Sequence, residues 1–189
     1  VAIVETTSEG ILQSRHKGIA YDFMVFTNLT PEHIKSHGSF ENYRMTKQLL
    51  FKNLFKNTRK ILNGIKISKV IIANADSEEA SNFLKFNADQ KITFGVKNTQ
   101  ANVKASNIKE ANDGVEFEVD GKNIALKLIG TFNILNALPA LIIGKVLNLN
   151  EEDVVRGLMN LSIIPGRMEV VQSKPFTVIV DYAHEKESL

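Results

Sequence analysis

Three short apolar runs separated by longer, mostly polar stretches constrain the fold of this chain more than any other sequence feature. The runs cover residues 1–4, 23–26 and 70–73. Each has the length and composition of a strand buried within a parallel sheet. After Gly38 and Ser39, apolar residues recur at the spacing of an amphipathic helix. Strands that alternate with helices predict an α/β fold with a mostly parallel sheet flanked by helices.

A different pattern over residues 103–128 predicts a second, smaller sheet. Residues 115–119 alternate between apolar and charged side chains, and residues 124–128 alternate again after Asp120 and Gly121. An Asp-Gly pair between two alternating runs is a strong hairpin signal. We therefore expect a small antiparallel subsheet in this region, beside the parallel one.

Two helices are predicted after this region. The first runs from about residue 132 to 147 and contains Pro139, which lacks a backbone donor, so we expect a kink or a late helix start. The second follows Asn150 and three acidic residues, a pattern typical of a capped and negatively charged first turn.

Composition excludes several classes of protein. The 189 residues suit one large domain or slightly more, at about 150 residues per domain. The net charge of +2 is too small to predict a nucleic-acid or membrane partner, and no apolar run approaches the length of a membrane span. The absence of cysteine excludes disulfides and thiolate metal sites, and is compatible with the reducing cytoplasm.

The lysine-rich stretch over residues 51–69 is the one candidate for a nucleic-acid patch. Its cations Lys52, Lys56, Arg59 and Lys60 have the spacing of the solvent face of a helix. A nucleic-acid footprint would need a larger charge imbalance and a stacking or groove-reading element. We therefore interpret these cations as a solvated helix face.

Three residues that could carry chemistry follow predicted strands. Glu5 ends the first apolar run, and His33 and Lys47 lie in the turn and helix after the second. Open α/β sheets bind ligands beyond the carboxyl ends of their strands, where carboxylates commonly hold Mg²⁺ against phosphates. The alternatives are an incidental acid beside a helix cap, a hydrogen-bonded loop histidine and a solvated surface lysine.

Five motifs occur in an order that resembles the central domain of the Mur ligases, and among these the tripeptide synthetases. They are Glu-Thr-Thr-Ser at 5–8, Thr-Asn-Leu-Thr-Pro-Glu-His at 27–33, Gly-Thr-Phe-Asn-Ile-Leu-Asn at 130–136, Gly-Arg-Met-Glu at 166–169 and Asp-Tyr-Ala-His at 181–184. Each motif alone is weak evidence, but together they span nearly the whole chain.

The resemblance implies a magnesium site. Glu5 and His33 match family residues that hold Mg²⁺, and Lys47 matches a lysine that is carbamylated, which turns a cation into an anion able to bridge or orient the metal. Carbamylation needs a neutral amine, so the site must lower the pKa of the lysine by desolvation or by nearby positive charge. For His37 the resemblance implies a positioning role only.

The resemblance also implies an ATP site. Asn136 matches an asparagine beside the adenine, Arg167 a cation that offsets charge on the γ-phosphate, and Asp181 a residue that contacts the ribose. From the residues alone, Asn133 could simply cap a helix, and Arg167 could form a surface ion pair.

A third implied site binds UDP-MurNAc-dipeptide through Thr7, Gln13 and Arg15. The planar fork of an arginine suits a carboxylate or phosphate, and the alternative is an exposed arginine on a short helix. The sequence departs from the family here, with Glu9 in place of histidine and Thr6-Thr7 in place of valine and serine.

The resemblance predicts an ATP-dependent amide-bond ligase that adds an amino acid to a UDP-MurNAc-peptide through an acyl phosphate, in the cytoplasm. Residues 1–184 would form the central domain, and residues 185–189 would begin the linker to a further domain. No phosphate loop of the Gly-x-x-x-x-Gly-Lys-[Ser/Thr] type occurs, and the family carries that loop upstream of Glu5. We therefore expect a fragment that is inactive alone.

Other functions remain open at this point. Folylpolyglutamate synthase and cyanophycin synthetase have the same ligase core, and a non-catalytic nucleotide-binding module could have kept the fold. The sequence does not identify the amino acid added or the oligomeric state.

Overall fold

The computed structural model describes residues 1–31 and 34–183, without the side chains of residues 34 and 35. The chain divides into two compact units, Val1–Thr93 and Phe94–Leu189, and each is described by itself. The helices are α1 (Ser8–Leu12), α2 (Ile34–His37), α3 (Phe40–Leu54), α4 (Ala80–Leu84), α5 (Phe132–Val146) and α6 (Glu151–Asn160). The strands are β1 (Phe23–Phe26), β2 (Ile61–Leu62), β3 (Ile65–Lys66), β4 (Val70–Asn74), β5 (Gln90–Gly95), β6 (Val103–Lys104), β7 (Ser106–Ala111), β8 (Gly114–Val119), β9 (Lys122–Leu126), β10 (Glu169–Gln172) and β11 (Val178–Val180).

The parallel sheet has the strand order β1, β4, β5, β6. β1 and β4 run parallel, with Phe23 opposite Val70 and Phe26 opposite Ala73. Every residue of β4 is buried, as the apolar run at residues 70–73 predicts for a central strand, and the buried Asn74 ends it. On α3, the buried face includes Tyr43, Leu50, Phe51 and Leu54. The predicted α/β fold is confirmed.

The first apolar run, residues 1–4, was predicted to be a strand, and this prediction is wrong. The segment has no strand assignment, and all four side chains are exposed. An apolar sequence favours a strand only where a neighbouring strand supplies backbone hydrogen bonds. Among the described residues, none pairs with this segment.

The predicted antiparallel subsheet is confirmed as β7, β8 and β9. Asp120 and Gly121 join β8 to β9, with φ of 50° and 78°. Positive φ at both central residues matches the right-handed twist of the flanking strands, which is why Asp-Gly is favoured there. Residues 103 and 104 lie outside this subsheet, because β6 pairs in parallel with β5.

α5 runs through Pro139 without interruption and begins at Phe132, so the late helix start that Pro139 suggested is wrong. Packing explains this continuity, since Ile134, Leu138 and Ile142 are almost completely buried on one face. The predicted cap of α6 is confirmed: the Asn150 side chain accepts a hydrogen bond from Asp153 N at 3.1 Å. Within the described ranges, no helix is long and apolar enough to cross a membrane.

The lysine-rich stretch does not form the single helix face that its spacing suggested. α3 ends at Leu54. Farther along, Arg59 pairs with Asp89 and Lys60 pairs with Asp22. Both carboxylates come from distant parts of the sequence, so local periodicity could not predict these contacts.

Lys69 is a fully buried cation at the start of β4. Its Nζ donates to Tyr21 O at 2.5 Å, to Asp22 Oδ1 at 3.0 Å and to Thr58 O at 3.1 Å. All three protons of the ammonium therefore have acceptors, as a buried charge requires. Its backbone N also donates to Asp89 Oδ2 at 2.7 Å. This one residue joins the start of β1, the segment after α3 and the approach to β5.

Replacing Lys69 by methionine should destabilise the protein by about 3–5 kcal/mol, because two carbonyls and the Asp22 carboxylate would lose a buried partner. Urea unfolding followed by circular dichroism measures this. Lys60→Met is the matched control: it removes another lysine from the same carboxylate, but Lys60 is 46% exposed. Its cost should stay below about 1 kcal/mol. Equal costs for the two variants would contradict the role given to Lys69.

The Asp89 carboxylate should make stability depend on pH in the acid range. Hydrogen bonds from Arg59, and then from the Lys69 backbone N–H, lower its pKa to about 2. This lies below the value of about 3.9 expected in the unfolded chain, so the stabilisation is complete above about pH 4 and disappears as the pH falls towards 2. Wild type should therefore have a higher unfolding midpoint than Asp89→Asn at neutral pH, and this advantage should vanish in strong acid. Asp113→Asn, at an exposed turn carboxylate, is the control and should show no such change.

Candidate functional site

The first candidate residues surround the short helix α1. Thr7 is its N-cap, and Thr7 Oγ1 accepts from Gly10 N at 3.0 Å. The helix cap that the sequence offered as an alternative explanation of this motif is therefore present at Thr7. Glu5 lies just before this cap, is exposed, and makes no hydrogen bond or ion pair among the described residues. Its carboxylate oxygens are therefore available to a ligand.

Gln13 and Arg15 lie at the other end of α1. Arg15 Nε donates to Gln13 Oε1 at 2.9 Å, and both side chains are exposed. A Cβ added at Gly10 would lie 3.2 Å from Thr7 Oγ1 and 3.9 Å from Arg15 Nε. The Gly10 position therefore lies against Thr7 and Arg15, two of the three residues predicted to bind substrate, and a side chain there would crowd Thr7 Oγ1. The structure brings Thr7, Gln13 and Arg15 together around one helical turn.

Buried contacts join α1 to α2 and α3. Ser8 Oγ and His37 Nε2 form a buried hydrogen bond of 2.9 Å. The His37 ring packs against Tyr43, with their centroids 5.2 Å apart. These contacts support the positioning role predicted for His37. Glu9, where the family pattern has histidine, has its carboxylate 3.4 Å from Ser36 Oγ.

Lys47 lies on α3, and its side chain is half-buried, so the alternative of a fully solvated lysine is wrong. Its Nζ lies 5.5 Å from the centroid of the Tyr43 ring. A cation over an aromatic face is stabilised by about 0.5–1 kcal/mol, which favours the ammonium. Tyr43 thus contacts both His37 and Lys47.

The metal-binding prediction rests on Glu5, His33 and Lys47, and His33 lies outside the described residues. Within the described ranges, no group of three or more histidine or acidic side chains could hold a metal ion. Mg²⁺ typically uses only one or two protein carboxylates together with phosphate oxygens and water. The exposed oxygens of Glu5 fit that donor set.

Asn136 belongs to the second unit and is exposed on α5. Its Nδ2 donates to Asn133 Oδ1 at 3.1 Å, and Asn133 Nδ2 donates to Ile129 O at 2.8 Å. The helix begins after Thr131, so Asn133 is not the N-cap and the capping alternative is wrong. The buried Asn133 instead holds the side chain of Asn136.

Arg167 and Asp181 lie at the same end of the antiparallel pair β10 and β11. Arg167 comes two residues before β10, and Asp181 follows β11 directly. Tyr182 N donates to Gly166 O at 2.8 Å, which closes this end of the hairpin. Both candidate side chains are exposed. The predicted ATP ligands Arg167 and Asp181 are therefore brought together, although 13 residues separate them in sequence.

Tyr182 is a residue of this site that sequence analysis missed. The Arg167 guanidinium carbon lies 4.8 Å from the centroid of its ring. No ion pair involves Arg167 within the part of the chain that the structure describes, so the ion-pair alternative is not observed. Tyr182 lies within the Asp-Tyr-Ala-His motif. Its contact with Arg167, however, depends on the pairing of β10 with β11.

Comparisons with known proteins identify the family of this chain. The family model of the Mur ligase middle domain matches residues 1–144. A UDP-N-acetylmuramoyl-L-alanyl-D-glutamate--2,6-diaminopimelate ligase from Halalkalibacterium halodurans is 34% identical over 193 residues, which cover 100% of this chain and 38% of the relative. A UDP-N-acetylmuramyl-tripeptide synthetase from a Roseiflexus species is also 34% identical, over 97% of this chain and 37% of the relative.

A solved structure of a UDP-N-acetylmuramoyl-L-alanyl-D-glutamate--2,6-diaminopimelate ligase has a TM-score of 0.74 and 25% identity. The match covers 97% of this chain and 37% of that one. The chain thus spans less than two fifths of the relatives it matches. Because the family model covers more than half of its length, the chain belongs to the Mur ligase family and contains the family's middle domain.

Proposed function

We propose that the protein containing this chain is an ATP-dependent ligase of peptidoglycan synthesis that adds an amino acid to UDP-MurNAc-L-Ala-D-Glu. One observation carries this proposal: the relatives that match nearly the whole chain are named as ligases of this kind. ATP phosphorylates a substrate carboxylate to an acyl phosphate and leaves as ADP. The amine of the amino acid then attacks the acyl carbon, phosphate leaves, and the amide nitrogen loses a proton.

The second unit supplies the residues for ATP. Arg167, whose guanidinium lies over the Tyr182 ring, would offset charge on the transferred phosphoryl group, and it need not first leave an ion pair with a described residue. Asp181 at the same end of the hairpin can accept hydrogen bonds from ribose hydroxyls. Asn136, oriented by Asn133, would contact the adenine.

The first unit supplies the residues for the nucleotide-sugar peptide. Arg15 offers a planar set of donors to a carboxylate or phosphate, and Gln13 accepts from Arg15 Nε while keeping its own amide protons. Thr7 and Arg15 both lie within 4 Å of the position that a Cβ would take at Gly10. Binding would order these exposed side chains around α1.

Glu5, His33 and Lys47 would hold Mg²⁺, which when bound neutralises phosphate charge. Lys47 would act as a carbamate, formed when its neutral amine attacks carbon dioxide and releases one proton. Half burial of Lys47 supports this proposal, while its contact with Tyr43 favours the ammonium. Carbamylation thus needs a further contribution, which a bound cation beside the carbamate would provide.

A cytoplasmic location is part of the proposal, because ATP and the nucleotide-sugar substrate must both reach the enzyme. The names of these relatives favour a UDP-MurNAc-peptide ligase over a folylpolyglutamate or cyanophycin synthetase. The chain covers 38% of the Halalkalibacterium relative, so activity is assigned to the full-length protein. Residues 1–184 remain a proposed domain, with a linker proposed at 185–189.

The proposed reaction predicts ADP formation that requires both a UDP-MurNAc-dipeptide and one amino acid. The full-length protein should be assayed with 2,6-diaminopimelate, lysine, ornithine and alanine separately, and the peptide product identified by mass spectrometry. One amino acid should support turnover well above the rest. Absence of product with every amino acid and the dipeptide acceptor, in a protein that binds ATP, would refute the proposed function.

Lys47→Ala should reduce the turnover of the full-length protein by about a hundredfold or more, because the group that orients Mg²⁺ is lost. Short carboxylic acids such as formate or acetate should restore part of this activity by replacing the carbamate. Lys52→Ala, an exposed lysine on the same helix, is the control and should stay active. Normal turnover of Lys47→Ala would refute the carbamate while leaving the ligase assignment intact.

A further inference from the structure

A cavity of about 300 Å³ lies in the first unit, between the segment leading into β1 and the C-terminal end of α3. Its apolar wall includes Met24 and Leu50. Its polar wall consists of His16, Lys17, Tyr21, Asn53, Lys56 and Asn57. None of these residues has a part in the proposed ligase reaction, and the cavity lies at the opposite end of α3 from His37.

Two polar atoms of this wall are buried without a hydrogen-bond partner. They are His16 Nδ1 and Tyr21 Oη. No other buried side-chain atom of the described residues lacks a hydrogen-bond partner. Burying such a group unpaired costs about 1–3 kcal/mol. Both orphaned atoms belong to residues of the same cavity, which suggests that a bound group completes their hydrogen bonding.

The charge of the cavity wall favours an anion. Lys17 and Lys56 make no ion pair with any described residue, and no acidic side chain lines the cavity. The nearby Asp22 carboxylate already binds Lys60 and Lys69. The C-terminal end of α3 contributes only about half a negative charge, which two ammonium groups exceed.

A larger cavity in the second unit, of about 510 Å³, lacks these features. Its charged wall residues already pair with one another, Lys122 with Glu151 and Lys145 with Asp120. A charged ligand there would have to break existing ion pairs. Only the smaller cavity combines unpaired cations with orphaned polar atoms among the described residues.

We propose that the cavity bounded by Lys17, Tyr21 and Lys56 binds a small organic phosphate. The phosphate oxygens accept from the two lysines, the two asparagine amides, the Tyr21 hydroxyl and, in the tautomer that carries its proton there, His16 Nδ1. A phosphate offers more acceptor oxygens than a carboxylate, which suits this number of donors. A short apolar substituent packs on Met24 and Leu50. The site is separate from the proposed ligase reaction and does not depend on it.

The methyl group of Met24 gives a local measure of binding. The full-length protein labelled with ¹³C at methionine methyl groups is titrated with propyl phosphate and, separately, with inorganic phosphate. Met24→Leu assigns the Met24 signal, and Met168, next to Arg167 in sequence, reports on the proposed ATP site. We expect a saturable Met24 shift, with propyl phosphate binding more tightly than inorganic phosphate because of its apolar substituent.

Two variants on α3 and beyond it separate specific from general charge effects. Lys56→Gln should weaken propyl phosphate binding at the Met24 signal by about tenfold, the loss of one charge-assisted hydrogen bond. Lys52→Gln makes the same charge change at an exposed lysine outside the cavity wall, and should bind as wild type does.

Tyr21→Phe should unfold at the same temperature as wild type or higher without phosphate, yet bind propyl phosphate more weakly.

Three results would overturn the proposal. The first is no Met24 shift with either phosphate, which would mean that water alone fills the cavity. The second is equal weakening by Lys56→Gln and Lys52→Gln, which would indicate non-specific attraction of anions. The third is equal affinity for inorganic and propyl phosphate, which would show that no apolar substituent of the ligand packs on Met24 and Leu50.

Discussion

The first unit depends on a single buried ammonium group. Lys69 is completely removed from solvent, and its three protons are accepted by Tyr21 O, Asp22 Oδ1 and Thr58 O. Isolated, such a charge would cost far more than a domain's net stability. The segments that carry these acceptors must therefore meet at the start of β4. That requirement holds the beginning of β1 beside β4 and places the cavity wall near Tyr21.

Both candidate catalytic cations lie over tyrosine rings. Lys47 lies over Tyr43, and Arg167 over Tyr182. Tyr43 is buried beside His37, whereas Tyr182 is exposed and its backbone N–H donates to Gly166 O. An aromatic face restrains a long cation without neutralising it, unlike a carboxylate. Arg167 makes no ion pair among the described residues, so its charge remains available for a phosphate.

Much of the fold could be predicted because its determinants are local. The apolar runs at β1 and β4, the Asp120-Gly121 turn and the Asn150 cap each depend on neighbouring residues, and each is confirmed. The failures depend on distant partners. Residues 1–4 lack a neighbouring strand among the described residues, Pro139 is tolerated within a buried helix, and Arg59 turns towards Asp89.

For the candidate site, the sequence alone determined the family, the motifs and the residue types, because these depend on chemical identity and order along the chain. Tertiary structure decided which of those residues meet. Pairing of β10 with β11 brings Arg167 to Tyr182 and Asp181, and the buried hydrogen bond between Ser8 and His37 joins α1 to α2. It also revealed Lys69 and the cavity at Tyr21, which no motif marks. Burial and long-range hydrogen bonding are properties of the folded chain, so no local pattern encodes them.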